Sequence, residues 1–242
     1  MKFFGTIMKA GLPAIAIAIA APAVAQVGAS ASAGSLGYEL IDLDISDGVT
    51  PWLAFQDDWA ISTYAAIYSS SSANAYPQAV ISSFSLGTSL LNIAGTSAFA
   101  SASWTDVASS AYTYGNLATS TGLTRHGFLL SPNTEVKFFA LGTADADAGE
   151  WYTTRAVAGL IVKIDGSQQV QDLIDVRNGD GYAGWMNTSV ASQGAAGVQG
   201  WVAIATFTES YAATSPVPEP AAPAMLLGGL GLLAALGRRR AR

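Results

Sequence analysis

Between residues 26 and 215 the chain almost never repeats its apolar residues at helical spacing. Short runs rich in β-branched and aromatic residues are broken instead by clusters of Gly, Ser, Asn and Asp. Such runs suit a pleated, half-buried surface, and the clusters between them suit tight turns. The candidate strands are Tyr38–Ile45, Trp52–Phe55, Trp59–Tyr68, Ser97–Ala108, Leu123–Leu130, Thr134–Leu141, Trp151–Ile164 and Gly200–Thr208. The strongest is WYTTRAVAGLIVKI; GWVAIATFT carries apolar residues on both faces, as a doubly buried central strand does. Gln168–Asp175 fits a short helix or a further strand. Eight strands with turns between them predict an all-β fold over residues 26–212, a single sandwich or jelly-roll-like domain. Pieces such as FASASW interleave small and large residues, which lets sheets approach closely. No period of solenoid length is present.

Composition narrows the function. The chain has no cysteine, so disulfides and thiol chemistry are excluded and the fold depends on its core. Residues 26–216 hold 16 acids against 5 bases, a net charge of −11. A nucleic-acid partner demands a basic surface and is not expected here.

Both ends read as something other than the domain. MKFFGTIMKAGLPAIAIAIAAPAVAQ has two lysines, an apolar stretch, and Ala23-Val24-Ala25 before Gln26. That is the layout of a secretory signal peptide over residues 1–25. At the other end, residues 213–220 form a proline-rich linker. Ala221 to Gly237 is uncharged, and as a helix it would reach about 26 Å, enough for a thin membrane. Arg238, Arg239 and Arg240, in a basic tail over 238–242, would act as a topology stop and stay cytoplasmic.

Val217-Pro218-Glu219-Pro220, the apolar run and the terminal arginines, in that order behind a signal peptide, resemble the PEP-CTERM sorting signal of exported bacterial proteins. The resemblance implies a sorting partner, the membrane enzyme exosortase, with recognition and processing near Pro218-Glu219-Pro220. It implies a transient inner-membrane hold by the tail, then a cell-surface or extracellular location. Genomes with this system usually make exopolysaccharide, which makes that polymer a candidate partner. Two inner stretches, LIDLDISDGVTPWLAF and RHGFLLSPNTEVKFFALGTADAD, also resemble the exported domains that precede such tails. In the second, Phe128 and Leu130 end a strand, Ser131-Pro132-Asn133-Thr134 turns, and Val136 and Phe138 begin the return strand.

No catalytic constellation stands out, and the expectation is that the chain is not an enzyme. His126 is the sole histidine, there is no G-x-S-x-G elbow, and no catalytic residue is assigned. His126 reads as a surface or strand-end residue. Calcium is the one conceivable cofactor, with Asp145, Asp147 and Glu150 as weak metal candidates. In DLDISDG the glycine falls one place late for an EF-hand, and DVRNGDG has Arg177 where a ligand would sit. Six tryptophans could stack on sugar rings, though those in or beside strands are expected in the core. The expected role is a structural or adhesive component of an exopolysaccharide or biofilm matrix. The alternatives are a carbohydrate- or calcium-binding module and, behind these, a glycoside hydrolase with two opposed carboxylates.

Overall fold

The computed structural model describes residues 27–68, 77–93, 95–149, 152–194 and 196–212. Those residues form twelve strands and no helix: β1 (Val27–Asp42), β2 (Leu53–Tyr68), β3 (Pro77–Ser83), β4 (Gly87–Ile93), β5 (Thr96–Ala102), β6 (Val107–Thr113), β7 (Leu117–Leu130), β8 (Thr134–Ala146), β9 (Tyr152–Ile164), β10 (Val170–Arg177), β11 (Gly181–Ser192) and β12 (Val198–Ala212). They build two six-stranded antiparallel sheets. Sheet A runs β11-β8-β1-β6-β5-β4 and sheet B runs β10-β9-β12-β7-β2-β3. Across the sandwich β1 packs on β12 and β9, β6 on β7 and β12, and β5 on β2 and β7. β10 meets β11 along one side of the sandwich and β3 meets β4 along the other. The all-β sandwich expected from the strand pattern is therefore the observed fold. The proposed signal peptide, linker, membrane helix and basic tail lie outside the described residues. No helix among the described residues is long and apolar enough to cross a membrane.

The core has two unlike halves. Around β8, β9 and β12 it is filled by Phe128, Phe138, Leu130, Leu160, Met186 and Ile204, all essentially inaccessible. Between β5, β6 and β2 it is made of Ala65, Ala98, Ala111 and Ala118 around Ile67. Alanine and hydroxyl side chains let the sheets close up there. Some buried hydroxyls replace lost water by pairing: Thr63 with Ser89 across the sandwich at 2.8 Å, and Ser120 with Thr208 between neighbouring strands of sheet B at 2.7 Å. Those of Ser109, Thr124, Thr188 and Thr206 are buried with no partner among the described residues.

The strands differ from the sequence reading in ways that have physical causes. Ser97–Ala108 is two strands, because Ser103 and Asp106 close a hairpin turn through Ser103 N–H to Asp106 O at 2.8 Å. Trp52–Phe55 and Trp59–Tyr68 merge into β2, whose irregularity lies between Phe55 and Trp59. Gln168–Asp175 is a strand, most of it within β10. The front of β1, VGASASAGS, is too small and polar to read as a strand, yet Ala29, Ala31 and Ala33 point into the core. β8 follows the Ser131–Asn133 turn as expected, but in the opposite sheet from β7. The turn is a crossover, and it brings the rings of Phe128 and Phe138 to 5.3 Å across the core. β12 is central but alternates. Val202 and Ile204 point inward, while on its other face Trp201 and Phe207 lie beneath the guanidinium groups of Arg125 and Arg155, each 5.9 Å from the ring centre.

Asn133 gathers the loops at this end of the sandwich. Its φ of 47° is one that asparagine tolerates better than most residues. Its side chain donates to Asp47 Oδ2 at 2.8 Å and accepts from Gly194 N–H at 3.0 Å, while its carbonyl accepts from Leu43 N–H at 2.8 Å.

Candidate functional site

The two sheets do not end together. β6 starts at Val107, opposite Ala33, while β1 continues to Asp42 paired only with β8. In sheet B, β7 and β2 run on to Leu130 and Leu53, well past the level where β5 and β6 turn. Their inner face at this pole therefore has no opposing strand from β4, β5 or β6. What it has instead is the tip of the β5–β6 hairpin.

Aromatic rings fill that step. Phe55 pairs with Phe128 and Trp59 with His126, so Phe55, Trp59 and His126 all point inward, away from the outer face of sheet B. Three β2 residues separate Phe55 from Trp59 where β7 has one, and this even-numbered excess keeps both rings on one face. Tyr38 joins from β1, opposite the buried Phe138. The rings form a connected row: Trp104 to Trp59 at 4.4 Å, Trp104 to His126 at 5.9 Å, His126 to Phe55 at 6.0 Å and Phe55 to Tyr38 at 5.9 Å. Exposure of the Tyr38, Phe55, Trp59 and Trp104 rings ranges from 41% at Trp59 to 47% at Phe55, with His126 half-buried among them, so the row is open to solvent rather than core.

Trp104 is held in place from both sides. Ser103 Oγ accepts from Asp106 N–H at 3.0 Å, and the Asp106 carboxylate lies against Gly34, in the space a side chain there would take. His126 Nε2 lies 2.7 Å from Trp104 O. A carbonyl only accepts, so Nε2 carries the proton. Beside the tip, an open groove of about 480 Å³ is lined by Ser35, Thr88, Ser101, Ser103 and Asp106 among others. The groove opens on the outer face of sheet A, and none of the five rings lines it.

The candidate residues read from sequence fall elsewhere. Asp145 and Asp147 lie two residues apart near the other pole. Asp147 Oδ2 accepts Gly28 N–H at 3.0 Å, and Asp145 stands beside Gly181. Glu150 is outside the described residues. Among those described, no group of three His, Cys, Asp or Glu side chains is placed to hold a metal ion. The acids of DLDISDG shape their own loop: Asp42, Asp44 and Asp47 each accept the backbone N–H two residues on. Asn178 Oδ1 accepts Thr154 N–H at 2.9 Å. His126, expected at a surface or strand end, is a member of the aromatic row. Trp52, Trp59 and Trp104, expected in the core because they lie in or beside candidate strands, are exposed, as is Trp185. Tyr38 and Phe55 carried no signal of their own in the sequence. The hairpin turn Ser103–Asp106 would have marked Trp104 as a tip residue.

Two carboxylates are electrostatically tuned. Asp175 takes a two-pronged pair from Arg155, at 3.0 Å from Nε and 2.8 Å from Nη2, with Arg177 at 3.5 Å. The hydrogen bonds from Arg155 hold the Asp175 carboxyl below its usual value. The Asn133 side chain, then the N–H of Val49, do the same for Asp47. A carboxyl depressed in the folded state stabilises above its unfolded value, near 3.8, and that contribution disappears as pH falls through the lower folded value. Thermal melting from pH 6 to pH 2 should therefore show these contributions intact down to about pH 4 and lost below it. Asp175→Asn should flatten the acid limb; an unchanged limb would show that the Arg155 pair contributes nothing.

Residues 216–241 match the family model of the PEP-CTERM protein-sorting motif. The chain carries a PEP-CTERM sorting signal. The matched segment contains Pro218-Glu219-Pro220, the apolar run and Arg238–Arg240. This signal marks an exported protein sorted through exosortase, with a membrane-anchored precursor processed toward the cell surface. No curated protein matches the chain. The PEP-CTERM segment follows β12, whose end lies beside the start of β1: Ser210 Oγ donates to Val27 O at 2.9 Å. The aromatic row is at the far end of the same strand, where Val202 pairs with His126.

Proposed function

We propose that this PEP-CTERM protein is a non-enzymatic adhesive component of an exopolysaccharide matrix, gripping sugar polymer through its aromatic step. The observation that carries the reading is the solvent-open row Trp59–Trp104–His126–Phe55–Tyr38. A pyranose ring has apolar C–H faces and a polar rim. Flat, solvent-open rings receive the faces and leave the rim to water. The acidic domain favours a neutral polymer over an anionic one. The placement of the row supports the same reading, since it points away from the end that leads to the sorting tail.

The test is affinity electrophoresis through gels cast with exopolysaccharide extracted from the producing cells. The protein should be retarded, and Trp104→Ala should weaken retention roughly tenfold, equivalent to about 1.4 kcal/mol. Trp185→Ala, which removes an exposed indole from another surface, should leave it unchanged. Free migration of the unaltered protein, or equal losses in both variants, would defeat the proposal.

A further inference from the structure

The charges of the domain are not spread evenly. From Ala60 to Thr124 the sequence contains one charged residue, Asp106, and that one is at the hairpin tip. These residues supply most of β2, all of β3, β4, β5 and β6, and the first half of β7. One half of the sandwich is therefore nearly charge-free, and the other carries almost all of a net −11.

The two sides of the sandwich differ accordingly. On the β10–β11 side, Asp172, Asp175 and Arg177 lie on the edge strand, and the Asp172 carboxylate accepts Asn187 N–H of β11 at 2.8 Å. Charge and a capped N–H are common means by which a sheet edge is kept from pairing with another chain. Among the described residues, the β3–β4 side has neither. It ends in seven-residue strands without a charge and exposes Val80, Ile81, Phe84, Leu86 and Leu90, with Phe84 84% accessible.

We infer that this edge is a homotypic interface: two copies of the chain join antiparallel through β4, with Phe84 and Leu86 packed at its flank. A second copy fits because two acidic domains repel wherever their charged halves meet. The neutral edge is the side on which both backbones can approach without that repulsion. Antiparallel pairing of identical strands about a two-fold axis is self-complementary, and Leu90 sits near the middle of β4. The inference is independent of polysaccharide binding and uses none of the aromatic row.

The absence of cysteine makes the test clean. Thr88→Cys, Leu90→Cys and Asn92→Cys, introduced singly into the detergent-solubilised full chain, are oxidised and followed by non-reducing electrophoresis. Gln171→Cys on β10 is the control. Cross-linking should peak at one β4 position and exceed the control on the order of tenfold or more, because docking holds thiols at roughly millimolar effective concentration. Adding Leu90→Lys to Thr88→Cys should reduce it to the control rate, with the melting temperature unchanged. Equal rates at both edges would mean that association runs through the tail or by collision, and would overturn the inference. A β4 thiol closed to both cross-linking and a small maleimide would overturn it as well, since another part of the chain would then cover the edge.

Discussion

Phe138→Ala should lower the unfolding free energy by about 3–5 kcal/mol, the range for deleting a fully buried aromatic ring. Phe138 in sheet A and Phe128 in sheet B are both inaccessible and meet at 5.3 Å. They are the largest side chains of the core, and their ring contact joins the sheets directly. The gap left by the ring cannot close easily. Ala140 is its neighbour along the inner face of β8 and has no length to spare, and the backbone is held by β1 on one side and β11 on the other. For a domain of this size such a loss corresponds to a fall in melting temperature of roughly 10 °C. Phe138→Leu fills most of the gap and should lose much less. Chemical denaturation of the purified variants measures both. A loss below about 1 kcal/mol for Phe138→Ala would mean that the core repacks around the gap, contrary to the close packing of protein interiors.

Replacing Pro218, Glu219 and Pro220 together by alanine should have an all-or-none effect of another kind. The domain should fold as before, because its last strand ends at Ala212, ahead of the substituted residues. Sorting should fail, and the precursor should accumulate with its tail. Intact mass and peptide mapping of membrane and culture fractions read this directly. The unaltered protein should begin near Gln26 and end near Pro218, and the variant should still end at Arg242. Normal tail removal in the variant would sink the assignment of this triplet as the recognition and processing region. Melting temperature separates the two kinds of failure, since a misfolded domain would melt early and a sorting defect would not.

The sequence carried the sandwich class because β-branched and aromatic runs such as WYTTRAVAGLIVKI are local signals. The matched sorting signal was legible for a similar reason, with Pro218-Glu219-Pro220, the apolar run and the arginines in linear order. The strands that were missed are those built from small or polar residues. The front of β1 is held by pairing with β6 and β8, and β4 by pairing with β5, which are long-range facts. The aromatic step was hidden for a deeper reason. Trp59 and Trp104 are exposed because β5 and β6 stop short of β7, and strand ends in one sheet do not reveal where the other sheet ends. The carboxylates were misleading in the opposite sense. Asp42, Asp44 and Asp47 look like a ligand set in sequence, but each accepts a backbone N–H of its own loop.

The direction of β12 has a mechanical consequence. The strand runs from the pole of the aromatic step to the pole where the chain continues into the tail, bonded along its length to β7 on one side and β9 on the other. Tension applied between a polymer held at the first pole and an attachment at the second lies parallel to the strand. Backbone hydrogen bonds perpendicular to the pull are then loaded in shear and share the force, rather than being unzipped one at a time. A domain of this design resists extension along that axis with two rows of bonds at once.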